Sequence, residues 1–130
     1  MTLAVDASVI VAALVDSGDE GTWAESLVAG EVLVAPELAM VESTNILRRL
    51  ELAGHLSPIE SELAQRDLMR LDIQLFPFYP IAQRIWDLRS NITSYDAWYV
   101  ALAEALECPL ATLDSKLTGA SGVRCQFRLP

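Results

Sequence analysis

Not one lysine or arginine stands before Arg48, although residues 1–47 carry eight acidic side chains. With a net charge of −9, the chain lacks the broad basic footprint by which nucleic-acid proteins ordinarily hold a phosphate backbone. An acidic amino-terminal part is either solvated surface or one wall of a metal-binding pocket. Cysteine is scarce. Cys108 and Cys125 show neither CxxC spacing nor the density of a disulfide scaffold, and both read as reduced thiols in or near the core. His55 is the sole histidine, which with the missing CxxC argues against a zinc site. Following the helix-ending Gly54, it reads as a surface residue. No run approaches the roughly 18–20 apolar residues of a membrane span, and "MTLAVDASVI" lacks the basic start of a secretory signal. A cytoplasmic location is therefore expected. Neither a repeat nor a low-complexity linker interrupts the chain. Its 130 residues suit one core, so a single domain over 1–130 is expected. An apolar fraction of 52% against 21% charged places it with well-packed globular proteins.

The patterning alternates between strands and helices. "TLAV" is a β-type run ending at Asp6, and "SVIVAALV" has the length and apolar density of a buried helix. A turn at "DSGDEGT" leads to a helical stretch around Trp23–Ala29, and "EVLVAPE" supplies a second strand. Leu38–Ala53 is helical and ends at Gly54, where a left-handed cap carries little steric cost. Ser57-Pro58 restarts a helix, with Ser as N-cap, Pro in the first turn, and Glu60 and Glu62 near the positive end of the dipole. "DIQLF" reads as a third strand, Pro80–Arg89 as a helix, Ser94–Glu107 as a long helix, "PLATL" as a fourth strand and "VRCQF" as a fifth. Strands separated by helices imply parallel pairing through right-handed crossovers. The fold class is α/β, a three-layer helix/sheet/helix sandwich with a twisted, mainly parallel sheet of about four to five strands. Ligands in such sheets bind beyond the carboxyl ends of the strands, where strand order reverses.

Four acids occupy telling positions. Asp6 ends the first strand and Asp114 follows the fourth, so both can project at one sheet edge. Asp96 stands two residues after Ser94, a candidate N-cap, and so lies in the first turn of its helix. Glu42 is four residues from both Leu38 and Ile46 on one helical row, which gives a carboxylate an apolar flank. Each has a plain structural explanation: Asp6 as a cap for the helix near Ser8, Asp96 as a complement to the helix dipole, Asp114 as a turn former, Glu42 as the solvated edge of a stripe. Together they suggest a crevice. Converging carboxylates repel one another unless cations intervene. Mg²⁺ or Mn²⁺ prefers oxygen ligands and commonly takes only one or two direct carboxylates. Such ions orient a phosphodiester, lower the pKa of an attacking water and stabilise the leaving oxygen. They also make an acidic pocket attractive to phosphate.

"VDASVIVAAL", "VESTNILRRL", "TSYDAWYVALAE" and "LATLDSKL" together resemble the PIN-domain ribonucleases, and among them the VapC-type toxins of toxin–antitoxin pairs. The resemblance runs over essentially the whole chain, and "YDAWYVALAE" is its most specific part. It implies that Asp6, Glu42, Asp96 and Asp114 match the four acidic positions that bind the metal and position water, with Ser8, Asn45 and Thr112 matching polar positions that support them. Asn45 is also three residues past Glu42, on the same helix face. The resemblance further implies a PIN-like fold and an Mg²⁺- or Mn²⁺-dependent endoribonuclease that hydrolyses RNA. A cognate antitoxin would hold it silent, commonly as homodimers within larger assemblies. Two other classes share some of these features: a PIN-like module that binds RNA or a partner without cutting, which the full set of four acids disfavours, and an aspartyl-phosphate phosphatase, which needs a second Asp two residues past the first, where Ser8 stands.

The remaining features leave two readings each. Arg48, Arg49 and Lys116 are solvated charges or phosphate contacts at the rim of the site. Tyr95, Trp98 and Tyr99 pack in the core or stack on unpaired bases. Trp23 and Trp86 serve packing or partner contact. The helices near Val9–Ala29 and Leu38–Leu71 form either plain core or a groove for an amphipathic antitoxin segment.

Overall fold

The computed structural model describes all residues 1–130. Five strands form one sheet: β1 (Thr2–Val5), β2 (Val32–Pro36), β3 (Ile73–Phe76), β4 (Leu110–Ala111) and β5 (Phe127–Arg128). Their order is β3-β2-β1-β4-β5, and every neighbouring pair is parallel. Six helices complete the α/β sandwich: α1 (Ala7–Val15), α2 (Asp19–Gly30), α3 (Leu38–Leu52), α4 (Pro58–Leu68), α5 (Ala82–Asp87) and α6 (Ser94–Ala105). No helix is long and apolar enough to cross a membrane.

Strand β1 is central, and Leu3, Ala4 and Val5 are each 0% exposed. A strand covered on both faces is free of the alternation that a half-solvated strand needs, which is why "LAV" is uniformly apolar. Helix α6 lies against β1, β2 and β4, while α1 packs on α2, α3 and α4. A separate apolar nucleus of Val11, Leu47 and Ala64 joins α1, α3 and α4. Cys108 is buried, Cys125 half-buried, and both are free thiols.

Local signals set most boundaries. Ser57 caps α4 in a full capping box, its side chain accepting from the Glu60 N–H while Glu60 reaches back to the Ser57 N–H. Gly54, at φ +80°, takes the left-handed turn after α3. Three details differ from the sequence reading. Thr93, not Ser94, caps α6, its hydroxyl accepting from the Asp96 N–H at 3.2 Å. The expected helix over 80–89 is a 3₁₀ turn at Tyr79–Ile81 followed by the short α5. The fifth strand is only Phe127–Arg128, because backbone pairing with β4 begins at the Leu110 N–H to Gln126 carbonyl bond of 2.9 Å.

Candidate active site

The sheet runs from β1 outward to β3 on one side and to β5 on the other, so strand order reverses between β1 and β4. Register pairs Val5 with Ala111, and the Asp6 N–H donates to the Ala111 carbonyl at 3.2 Å. Asp6 and Thr112 therefore emerge together from the carboxyl ends of the two strands, at the switch point where open sheets bind ligands.

Asp6 is both a cap and a hub. Its Oδ1 accepts from the Val9 N–H at 3.1 Å, closing the first turn of α1, and from the Ser8 hydroxyl. Its Oδ2 accepts from the hydroxyl of Thr112, a residue that is 0% exposed. Each hydroxyl also takes a backbone proton from the loop after β4: Ser8 from Leu113 at 3.2 Å, Thr112 from Asp114 at 3.0 Å. The carboxylate is thus held in one orientation by groups from the start of α1 and from the end of β4. Burial pushes the Asp6 carboxyl above the ordinary carboxylate range, against the hydrogen bonds from Ser8, Thr112 and Val9.

Glu42 projects from α3 and is half-buried. Its Oε1 accepts from the Tyr99 hydroxyl at 2.6 Å. Burial raises its pKa, the Tyr99 bond opposes that, and the charges of Asp96 and Asp6 raise it further. Asp96, in the first turn of α6, is raised by burial and then by the charge of Asp114, while its bond to Thr93 works the other way. Asp114 is exposed, and its Oδ1 accepts from the Lys116 N–H at 3.0 Å, so the turn-forming role is real as well. Four carboxylates from four chain segments are linked electrostatically in sequence: Asp6 to Glu42, Glu42 to Asp96, Asp96 to Asp114. None of the four forms a salt bridge.

Raised carboxyl pKa values, mutual repulsion and no ion-paired cation are the pattern that a divalent ion relieves. No three His, Cys, Asp or Glu side chains stand close enough to form a tight ligand cluster by themselves. Hard ions of the Mg²⁺ type tolerate this, since they keep several waters and take one or two carboxylates directly. The donor set, all oxygen and no sulfur or imidazole, fits such an ion.

The other sequence candidates fall differently. Ser8 and Thr112 touch Asp6 directly. Asn45 is exposed on α3 and makes no side-chain hydrogen bond to any of the acids. Arg48 and Arg49 are exposed on the same helix. Lys116 lines an 800 Å³ cavity together with Asp96 and Asp114. Trp98 packs edge-on against Phe78, with ring centroids 5.5 Å apart, and Tyr95 is exposed. Tyr99, at 2% exposed, belongs to the core by its ring and to the site by its hydroxyl. A signal for it existed: Tyr99 is three residues past Asp96 on an otherwise apolar face, and a buried tyrosine hydroxyl needs a partner.

Comparison with known proteins gives a family model, the PIN domain, matching residues 3–122. The chain is 38% identical to ribonuclease VapC9 of Mycobacterium tuberculosis over 123 residues, covering 95% of this chain and 94% of that one. Among solved structures it superimposes on the sarcin-ricin loop cleaving toxin VapC20 of M. tuberculosis with a TM-score of 0.69 at 15% identity, covering 94% of this chain and 98% of that one. It also superimposes on VapBC2 of Rickettsia felis, bound to a DNA fragment from its promoter, with a TM-score of 0.68 at 14% identity and 98% of both chains covered. At such identities the two superpositions speak for the fold alone.

Proposed function

Since the chain belongs to the PIN-domain family, we propose that it is a VapC-type endoribonuclease, the toxin of a toxin–antitoxin pair, built as a single domain over residues 1–130. Its reaction is hydrolysis of an RNA phosphodiester: water adds to phosphorus, one P–O bond breaks, and the leaving oxygen takes a proton. The observation that supports this reading is the pairwise electrostatic coupling that links Asp6, Glu42, Asp96 and Asp114, from four separate segments, near the reversal point of the sheet. Capping and turn formation account for Asp6 and Asp114 one at a time, but not for the repulsion between Asp6 and Glu42, Glu42 and Asp96, and Asp96 and Asp114.

Asp6, Glu42 and Asp96 are the residues that would hold Mg²⁺ or Mn²⁺, with Asp114 completing the site. When bound, such an ion neutralises charge at the phosphate and makes an attacking water more acidic. The protein's own contribution is orientation. Ser8 and Thr112 fix both oxygens of Asp6. Tyr99 fixes one oxygen of Glu42. Thr93 fixes the first turn of α6, from which Asp96 projects. This rigidity matters because misplacement by about 1 Å costs roughly 10²-fold in rate.

Silencing by an antitoxin is part of the proposal. Support comes from α3 and α4, which present Val41, Leu52 and Ile59 at 67%, 68% and 71% exposure. An amphipathic segment laid there would cover side chains that water now meets. A cytoplasmic homodimer or larger toxin–antitoxin assembly belongs to the same reading.

The test is direct. Asp6→Asn and Asp96→Asn should keep the cooperative melting transition and lose RNA cleavage in Mg²⁺ or Mn²⁺. Undiminished cleavage by either variant discards the assignment. The lack of a tight three-ligand cluster is the one observation favouring a non-cutting RNA- or partner-binding module. A wild-type chain that binds its partner yet cuts no RNA in either metal would establish that reading instead.

A further inference from the structure

Beside the acids lies the 800 Å³ cavity, within the range of ligand sites. Asp96 and Asp114 line it together with two cations, Arg89 and Lys116. Nine basic residues oppose eighteen acidic ones in this chain, so two cations lining one cavity is a concentration of scarce charge. Neither is consumed by an ion pair, whereas Arg84 and Arg128 are held by Glu104 and Glu31. Arg89 is also set in place. Its guanidinium carbon stands 4.4 Å from the centroid of the Trp86 ring, and its Nη1 donates to the Trp86 carbonyl at 3.0 Å. Trp86 is 60% exposed although its helix neighbours Ile85 and Leu88 are 2% and 1% exposed. Helix α5 buries its apolar side and turns the indole to water, where apolar burial gains nothing.

We propose that Arg89, Lys116 and Trp86 form a nucleotide-binding subsite that seats the unpaired stretch of RNA next to the scissile phosphate. Arg89 and Lys116 contact backbone phosphates flanking the acids, and a base stacks on the face of the Trp86 indole opposite Arg89; the indole stands outside the cavity lining and adjoins it through Arg89. The inference rests on the ribonuclease reading for the identity of the strand. Alternating cation and aromatic contacts hold single strands whatever their sequence, because every base has a stacking face. A duplex hides those faces, so the subsite selects loops or single-stranded regions. It also answers the charge objection: a strand reaching four carboxylates passes first over two unpaired cations.

The experiment uses the full chain and a short fluorescein-labelled single-stranded RNA of mixed sequence, with the same RNA annealed to its complement as comparison. Binding is read by fluorescence anisotropy across a salt series in Ca²⁺, and cleavage is assayed separately in Mg²⁺ and Mn²⁺. Arg89→Ala and Lys116→Ala should each weaken binding and flatten the slope of log Kd against log salt by about 0.7. Trp86→Ala should weaken single-strand binding by about 5- to 150-fold with the salt slope unchanged, and Trp86→Phe should restore most of it. The annealed duplex should not respond to Trp86→Ala. Arg89→Glu serves as a second variant, and melting curves verify that each folds. Wild-type affinity and KM in all three single variants, with RNA still cleaved, would overturn the subsite and leave the ribonuclease standing. Binding that depends on Trp86 and Arg89 in a chain that cuts nothing would uphold the subsite and overturn the ribonuclease. A wild-type chain that neither binds nor cuts RNA overturns both.

Discussion

Tyr99 donates its hydroxyl to Glu42 at 2.6 Å across 57 positions of sequence, tying the middle of α6 to the first half of α3. The bond places a neutral donor against an acid that already feels Asp96 and Asp6. It also pushes the Tyr99 hydroxyl far above its ordinary range, through burial first and the adjacent Glu42 second, so Tyr99 remains a donor at any physiological pH. Its ring fills core while its oxygen orients a carboxylate, and the two roles are separable by mutation.

Tyr99→Phe keeps the ring and removes the donor. A hydrogen bond to a charged group is worth about 1.5–3 kcal/mol, and its loss should appear in the melting temperature. Because the bond lowers the Glu42 pKa, removing it raises that pKa. The acid limb of the pH–rate profile should move to higher pH, with kcat reduced near neutrality. An unmoved acid limb would show that Glu42 does not titrate in the reaction.

Thr112 bridges the two strands at the site through one hydroxyl, donating to Asp6 and accepting from the Asp114 N–H. Thr112→Val preserves shape and strands both partners, at about 1–3 kcal/mol of stability and with a fall in cleavage. Thr112→Ser loses only a buried methyl, about 1 kcal/mol, and should cleave at close to the wild-type rate. Equal activity in the two variants would remove the hydroxyl from the account.

Stability should depend on pH in two opposed windows. Asp6, Glu42 and Asp96 have raised folded-state pKa values, so their ionised forms oppose folding above those values. As pH falls through them that opposition is relieved, and the metal-free chain gains stability. Glu31 and Glu104 are lowered, the first by the amino terminus and Arg128, the second by Arg84 and Arg124 acting against burial. Their contribution is present above the ordinary value of 4.5 and is lost as pH falls through the lowered one. Scanning calorimetry without metal should therefore find maximal stability on the mildly acidic side of neutrality. Mg²⁺ or Mn²⁺ should raise the melting temperature more at about pH 8 than at about pH 5, since protons compete with the ion for the same oxygens. A metal-induced shift that does not change with pH would place the binding elsewhere.

Two glycines in α2 test packing apart from chemistry. A Cβ on Gly21 would stand 1.9 Å from the Asp16 carbonyl oxygen, whereas a Cβ on Gly30 meets nothing within 4 Å. Gly21→Ala must displace backbone between α1 and α2 and should cost several kcal/mol or prevent folding. Gly30→Ala should stabilise by about 0.5–1 kcal/mol by restricting the unfolded chain. Equal melting temperatures for the two variants would contradict the close α1–α2 approach.

The amino-acid order determined most of the elements and the parallel sense of their pairing, because the relevant forces act within a few residues. Uniform apolarity in "LAV" marks a strand buried on both sides, Ser57-Pro58 with Glu60 starts a helix, and Gly54 ends one; alternation of such elements implies parallel strands. Residue type and position also marked Asp6, Glu42, Asp96 and Asp114 for attention. Local contacts such as the Asp6 cap and the Asp114 turn follow from the sequence too, but tertiary structure alone decided which distant residues each carboxylate touches. Thr112 reaches Asp6 because β1 and β4 are neighbours in the sheet, 106 positions apart in the chain. Tyr99 reaches Glu42 because α6 and α3 converge. Asn45, on the helix face expected of a partner, turns to solvent, since three residues along a helix constrain direction and not the company a side chain keeps. Hydrogen bonds extend about 3 Å, and no pattern along a chain fixes which distant atoms come within that distance.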